Sequence, residues 1–130
     1  MTIFSKIITG EIPSYKVAEN RDFYAFLDIN PIAKGHVLVV PKKEKDYIFD
    51  LDDETLGDMM IFSKRVAIAM KKVILCKRIG VTVIGLEVPH AHIHLVPITK
   101  ESDISFNNPR QTLTPEEFEK IATAIKANFE

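Results

Sequence analysis

The chain has 130 residues, the length of one ordinary domain, and its 46% hydrophobic and 27% charged residues allow it to bury a core. The formal net charge is −1, so nothing in the overall charge draws the protein to nucleic acid or to an anionic membrane. Neither is therefore expected as a partner.

The spacing of apolar residues predicts eight elements. Gly10 and Pro13 end the first helix, and an acidic pair, Asp52 and Asp53, offers an N-cap for the long central helix. The elements in chain order are a helix over 2–9, strands over 15–19, 23–29 and 36–41, a helix over 53–74, strands over 78–85 and 90–98, and a helix from Pro115.

The long helix is expected to present one apolar face to the core, and the strand over 78–85 is expected to be buried. The methionines of this helix fit a core better than a cofactor site. The predicted face contains Leu56, Met59, Met60, Ala67, Met70 and Ile74.

The order of elements predicts an α+β fold. The first three strands follow one another without crossover helices, and the last two are separated by only a few residues. We therefore expect a five-stranded, mainly antiparallel meander sheet with the long helix packed on it. A short N-terminal helix and a C-terminal helix complete the fold, and Thr114 and Glu117 form a capping box for the latter.

No feature of the sequence indicates export or membrane insertion. Cys76 is the single cysteine, so no internal disulfide can form. Residues 1–10 lack a basic segment followed by a long apolar run, and no apolar stretch approaches the ~20 residues of a membrane span. A cytoplasmic protein is the expectation.

Three of the four histidines stand at positions 90, 92 and 94. In a strand, residues two apart share a face, so His90, His92 and His94 would form a row with steps of ~6.6 Å. Ala91 and Ile93 would then face the opposite side, toward the long helix. One face of the strand is thus suited to chemistry and the other to burial.

Three interpretations of this row remain open from spacing alone. The histidines can be ordinary surface or core residues, which is the least favoured at this regular spacing. Two of them can bind a metal ion, with His36 or Glu87 as a third ligand. The row can also perform nucleophilic and acid–base chemistry on a phosphate. A neutral imidazole whose Nδ1–H is held by a carbonyl presents an Nε2 lone pair for that attack.

The run His90–Val96 matches the His-x-His-x-His-apolar-apolar signature and resembles the histidine-triad (HIT) family. Residues 3–13, 25–31 and 35–42 are similar to its N-terminal segment, its nucleoside-binding stretch and the strand with its fourth histidine. The resemblance covers about residues 2–98. It implies a HIT domain over 2–106, with 107–130 as a C-terminal extension of the same compact unit.

The resemblance implies a role for each matched residue. His92 would be the nucleophile that becomes nucleotidylated. His94 and His90 would contact phosphate oxygens and assist the leaving group, and His36 would complete the cluster. Asp28 would accept hydrogen bonds from ribose hydroxyls, although a turn residue at a strand end is the alternative. The base pocket would be lined by Phe26, Leu27, Ile29, Phe4 and Ile7.

The length resembles the small nucleotide-binding (Hint-like) branch of the family. Its members are typically homodimers that hydrolyse nucleoside phosphoramidates or related purine nucleotides. The resemblance implies a nucleotidyl hydrolase or transferase that acts at the α-phosphate of a phosphoramidate or a dinucleoside polyphosphate. A purine nucleotide or its conjugate would be the ligand, with no cofactor. The long helix and the 78–85 strand would form the dimer surface.

The sequence departs from the family pattern just before the triad. Leu86 stands where many relatives carry a glutamine, and it cannot donate a hydrogen bond to phosphate. Glu87 stands where a hydroxyl is often found, and its carboxylate would repel phosphate. A nucleotide-binding or adaptor protein with little turnover is therefore the alternative function. Thr2 and Ser5 replace a cysteine pair that helps some relatives bind zinc, so no metal is expected.

Overall fold

The structure, a computed structural model, describes all residues from Met1 to Glu130. Every predicted helix and strand is present, although all five strands are shorter than predicted. The elements in chain order are α1 (Ile3–Ile8), β1 (Lys16–Glu19), β2 (Phe23–Leu27), β3 (Val37–Pro41), α2 (Asp53–Val73), β4 (Arg78–Thr82), β5 (Ile93–Ile98) and α3 (Pro115–Asn128), with 3₁₀ turns at Ile48–Asp50 and Glu101–Ile104.

The sheet has five strands in the order β1-β2-β3-β5-β4, and every neighbouring pair is antiparallel. This confirms the predicted α+β fold. The order departs from a simple meander at one place, because α2 carries the chain from β3 to the far edge and β5 then pairs between β3 and β4. Leu38 lies opposite His94 in this pairing, which brings the third strand beside the histidine run.

The two faces of the sheet are covered differently. One face packs against α2 and α3 in the main core, whereas the short helix α1 covers only part of the other face. Since successive strand residues point to opposite faces, the same strands supply both cores. The main core takes Phe23, Leu27, Val37, Val39, Ile93 and Leu95 from the sheet; the smaller core takes Tyr24, Phe26, Leu38 and Val40.

The predicted helix ends are confirmed. The Asp52 side chain accepts a hydrogen bond from the Thr55 amide at the start of α2. Thr114 and Glu117 form a reciprocal capping box at the start of α3. None of the helices has the length and apolar character required to cross a bilayer.

Two burial predictions were wrong. Met60 is exposed although Met59 is fully buried, because adjacent helical residues lie about 100° apart around the axis. The predicted strand over 78–85 ends at Thr82 and lies at the edge of the sheet, so Val81 and Val83 remain partly exposed.

Gly35 and Gly10 provide a matched test of backbone strain and packing. Both have positive φ angles, +89° and +86°, but a Cβ at Gly35 would lie 2.5 Å from Ile74 Cδ1, whereas nothing lies within 4 Å at Gly10. Gly10→Ala should lower the free energy of unfolding by about 1 kcal/mol. Gly35→Ala should lower it by about 1–3 kcal/mol more, because Ile74 must move. Urea denaturation measures both, and equal losses would contradict the close packing.

Candidate active site

The histidine run lies at the entrance of β5 rather than wholly within it. The strand begins at Ile93, so His90 and His92 precede it, and the prediction of one regular strand over 90–98 was wrong at its start. The alternation of faces nevertheless continues, since Ala91 and Ile93 pack in the main core. The rings of His92 and His94 have centroids 4.9 Å apart, closer than the expected step along a strand.

His92 has a defined tautomer. Its Nδ1 lies 2.7 Å from the carbonyl oxygen of His90. A carbonyl oxygen can only accept, so Nδ1 carries the proton and Nε2 keeps its lone pair. Burial is the main cause that lowers the pKa of His92 below its usual value, which favours the neutral ring near pH 7. The ring also borders a cavity, so it has the protonation state and the access that a nucleophile requires.

His36 and His94 form a second hydrogen-bonded pair with a defined direction. The Ile32 amide donates to His36 Nδ1 at 3.3 Å, so the His36 proton is on Nε2. That Nε2–H donates to His94 Nδ1 at 3.0 Å, which leaves the His94 proton on Nε2. Burial, first among the causes, lowers the pKa of His36 to about 4 and that of His94 to about 3. Both rings are therefore neutral at pH 7, and His94 retains an N–H donor.

His90 does not have the role that the family resemblance implies. Its ring is fully buried, with Nε2 at 2.8 Å from the Pro41 carbonyl and Nδ1 at 2.7 Å from Thr2 Oγ1. Both ring nitrogens are thus bonded within the protein, and the residue does not border the cavity. The expectation that His90 contacts phosphate was wrong, because α1 and the end of β3 close over its ring.

The cavity beside the histidines has a volume of about 400 Å³. It brings together His92, His94 and Asp28, which the sequence predicted for one site. The altered residues Leu86 and Glu87 also border it, and Leu86 is 88% exposed at the rim. The remaining lining residues are Ile3, Phe4, Asn30, Leu38, Ile84, Gly85, Val88, Phe106 and Arg110.

Asp28 has the turn role that was weighed for it and also borders the cavity, while its bonds to a ribose stay a prediction. Its Oδ1 accepts a hydrogen bond from the Asn30 amide at 2.8 Å, which is the turn role expected at a strand end. Its Oδ2 lies 3.7 Å from His36 Nε2, and the side chain borders the cavity. The carboxylate therefore stabilises the turn and also presents an oxygen to the site.

The five residues predicted for the base pocket separate into three groups. Phe4 borders the cavity, and Phe26 and Ile7 pack behind it in the smaller core. Leu27 was wrongly placed, because alternation directs it into the main core on the opposite face, where it is 2% exposed. Ile29 follows the end of β2 and is 71% exposed; it does not line the cavity, although its neighbours Asp28 and Asn30 do, so its place in the base pocket stays a prediction.

Phe106 and Arg110 border the cavity and were missed in the sequence. The Phe106 ring lies edge-on to His94, with centroids 4.7 Å apart. Arg110 stacks over Phe106 at 5.4 Å, and its Nη1 donates to the Asn30 carbonyl at 3.1 Å. Their segment has loop composition, so the sole signal was an aromatic residue and a cation among polar residues. Arg110 is the single lysine or arginine that borders the cavity.

Asp28, His36 and His94 are the residues that could hold a metal ion, since their ligand atoms lie within 4.8 Å of one another. The hydrogen-bond directions do not fit this use, because His36 Nε2 carries a proton and donates it to His94. At Thr2 and Ser5 the side chains are hydroxyls that hydrogen-bond within the protein and supply no thiolate. That this site works without a metal ion stays a prediction.

Comparison with known proteins agrees with this fold. The model of the HIT domain family matches residues 9–101. The chain is 39% identical to adenosine 5′-monophosphoramidase HNT1 of Saccharomyces cerevisiae over 98% of its own length and 82% of that protein. It is 34% identical to an uncharacterised HIT-like protein of Borreliella burgdorferi over 98% of this chain and 97% of that one.

A solved structure gives the same result in three dimensions. A HIT-like protein from Bartonella henselae, described as involved in cell-cycle regulation, superimposes with a TM-score of 0.84 and 35% identity. The match covers 98% of this chain and 96% of the other. The family model, the relatives and the shared fold together show that this chain belongs to the HIT domain family.

Proposed function

We propose that the protein hydrolyses a purine nucleotide derivative at its α-phosphate through a nucleotidyl intermediate on His92. The observation that carries this proposal is the hydrogen bond from His92 Nδ1 to the His90 carbonyl, which leaves the Nε2 lone pair available beside the cavity. The similarity to a yeast adenosine 5′-monophosphoramidase supports a phosphoramidate as the substrate, with a dinucleoside polyphosphate as the other candidate.

The proposed reaction has two displacements at phosphorus. His92 Nε2 attacks the α-phosphorus, a phosphorus–nitrogen bond to His92 forms, and the bond to the leaving group breaks as the leaving atom takes a proton from a solvent water molecule. Because His94 Nδ1 accepts from His36, the ring of His94 carries its proton on Nε2. That N–H is positioned to donate a hydrogen bond to a phosphate oxygen or to the leaving atom. Water then attacks phosphorus, releases the nucleoside monophosphate and returns the lone pair to His92.

The remaining cavity residues suit the rest of a nucleotide. We propose that Asp28 accepts hydrogen bonds from the ribose hydroxyls and that Phe4 contacts the base, with Phe26 and Ile7 as its support. Arg110 supplies the positive charge for the phosphate, since Leu86 cannot donate and the histidines are neutral. No metal or other cofactor takes part in this mechanism.

The first test is trapping of the intermediate. Wild-type protein mixed with adenosine 5′-phosphoramidate should gain the mass of one adenylyl group on His92, measured by mass spectrometry after a rapid quench. His92→Ala should lose the adduct and at least about 10³-fold in kcat/KM, because the nucleophile is gone. Leu75→Ala, on a fully exposed residue between α2 and β4 that does not line the cavity, is the control and should retain both.

An adduct or full turnover in His92→Ala would exclude His92 as the nucleophile. A binding or adaptor protein would instead be favoured by two results together. Calorimetry would show nucleotide binding that Asp28→Ala abolishes, and no substrate would yield product. Leu86 and Glu87 are the observation that keeps this second function open, because they alter the approach to the phosphate.

The charges around the cavity predict a preference between the two substrate classes. Asp28, Glu87 and Arg110 are its charged residues, so its net charge is −1 when the histidines are neutral. A polyphosphate leaving group brings further negative charge, whereas an amine does not. Glu87→Gln should therefore raise kcat/KM for a dinucleoside polyphosphate about 2- to 5-fold at low salt, relative to that for a phosphoramidate.

Glu11→Gln is the matched control for this selectivity, since Glu11 is exposed and lies outside the cavity. It removes the same charge and should leave the ratio of the two kcat/KM values unchanged. An unchanged ratio in Glu87→Gln would show that Glu87 does not act on the leaving group.

We further propose a homodimer that forms through the β4 edge and the outer face of α2. The β4 edge is unpaired, and Val81, Ile61 and Ile68 expose apolar surface there and on α2. Sedimentation velocity should give twice the monomer mass for the wild type and the monomer mass for Val81→Lys. Ile29→Lys, which charges an exposed apolar residue elsewhere, should remain dimeric; a monomeric wild type would contradict the proposal.

A further inference from the structure

His90 and the start of α1 form a polar network that the proposed reaction does not use. The His90 ring is fully buried, and Pro41 presents a carbonyl oxygen to its Nε2 at 2.8 Å. Because that oxygen can only accept, the His90 proton is on Nε2, and Nδ1 accepts from the Thr2 hydroxyl at 2.7 Å. The Pro41 carbonyl thus fixes the tautomer of His90, and the Thr2 hydroxyl supplies the donor to its other ring nitrogen.

Thr2 is itself held in place by two further hydrogen bonds. Its backbone N–H donates to Glu44 Oε1 at 2.8 Å, and its hydroxyl oxygen accepts from the Ser5 amide at 3.1 Å as the N-cap of α1. Ser5 Oγ donates to the same Glu44 oxygen at 2.6 Å, and this bond is the main cause that lowers the pKa of Glu44. The position of the Thr2 hydroxyl is therefore set by backbone, cap and carboxylate together.

The network continues from His90 to the reacting residue. The carbonyl of His90 accepts the Nδ1–H of His92 at 2.7 Å, so the orientation of the His90 peptide determines the tautomer and tilt of the His92 ring. Phe4, also on α1, packs edge-on to both rings, with centroids 5.7 Å from His90 and 5.0 Å from His92. The helix that carries Thr2 thus reaches His92 by a hydrogen-bonded route and by a packing route.

We propose that Thr2 is a positioning residue for His92 and that it acts through His90. In this proposal, which rests on the proposed function of His92, the Thr2 hydroxyl keeps the His90 ring and its peptide in the one orientation that holds the His92 proton on Nδ1. Loss of the hydroxyl leaves the buried His90 Nδ1 without a donor, so the ring and its peptide shift, and the His92 Nε2 lone pair is then presented for a smaller fraction of the time.

The decisive variants remove or retain one hydroxyl. Thr2→Val keeps the shape of the side chain and should lower kcat about 10-fold with little change in KM, since the loss is in orientation and not in binding. Thr2→Ser keeps the donor and should stay within about 2-fold of wild type. Thr9→Val makes the same change at the other end of α1, where the hydroxyl donates to the Lys6 carbonyl, and should leave kcat unchanged.

A spectroscopic readout separates positioning from general stability. In ¹⁵N–¹H correlation spectra of the imidazole rings, wild type and Thr2→Ser should show His92 as the pure Nδ1–H tautomer. Thr2→Val should shift the His90 resonances, with the proton still on Nε2 toward the Pro41 carbonyl, and should show His92 as a tautomer mixture. If Thr2→Val lowers only the melting temperature and leaves the tautomers and kcat as in wild type, Thr2 is a helix cap and the proposal is wrong.

A second variant covers the case in which Thr2→Val does not fold. Glu44→Ala acts on the exposed side of the network and releases the Thr2 amide and Ser5, so it should shift the same resonances and lower kcat about 3-fold. Unchanged tautomers in this variant would overturn the proposal. Activity and spectra together distinguish the two proposals. A protein without turnover on any nucleotide would refute the hydrolase function. The tautomer of His92 would still show whether Thr2 positions its ring.

Discussion

The hydrogen bond between His92 Nδ1 and the His90 carbonyl determines which ring nitrogen of His92 can react. Because His92 precedes β5, its main chain is free of the sheet ladder, and the bond spans two residues of the same chain. The bond therefore depends on the turn just before the strand. Pro41 holds the His90 ring from β3, and Thr2 holds it from α1, so two elements distant in sequence converge on this turn.

The unequal covering of the sheet makes room for this arrangement. Helices α2 and α3 bury most of one face, which supplies the apolar area that stabilises the fold. The other face is covered by a helix of six residues, and the uncovered part holds the cavity. The period of two along β5 assigns Ile93 and Leu95 to the first face and His94 to the second, so a single strand serves both purposes.

The parts of the site that follow a local period were predictable, and the parts that depend on tertiary contacts were not. Alternation correctly separated His92 and His94 from Ala91 and Ile93. The same rule, applied to residues 26–29, would have directed Leu27 away from Phe26. Burial of His90 depends on Thr2, which lies 88 residues away in the chain, and no spacing within the run indicates it. Phe106 and Arg110 lie in an irregular segment, where no period exists to predict a direction.

The protonation states explain why the missed arginine matters to the proposed mechanism. A histidine can attack phosphorus only while it is neutral, and burial keeps the pKa values of His92, His94 and His36 below their usual value. A phosphate, however, binds best to a positive charge. Protonated histidines would supply that charge but would remove the nucleophile. Arg110 resolves this conflict, because a guanidinium is a cation beside neutral histidines near pH 7. Its contacts with Phe106 and the Asn30 carbonyl hold it at the cavity without a carboxylate partner.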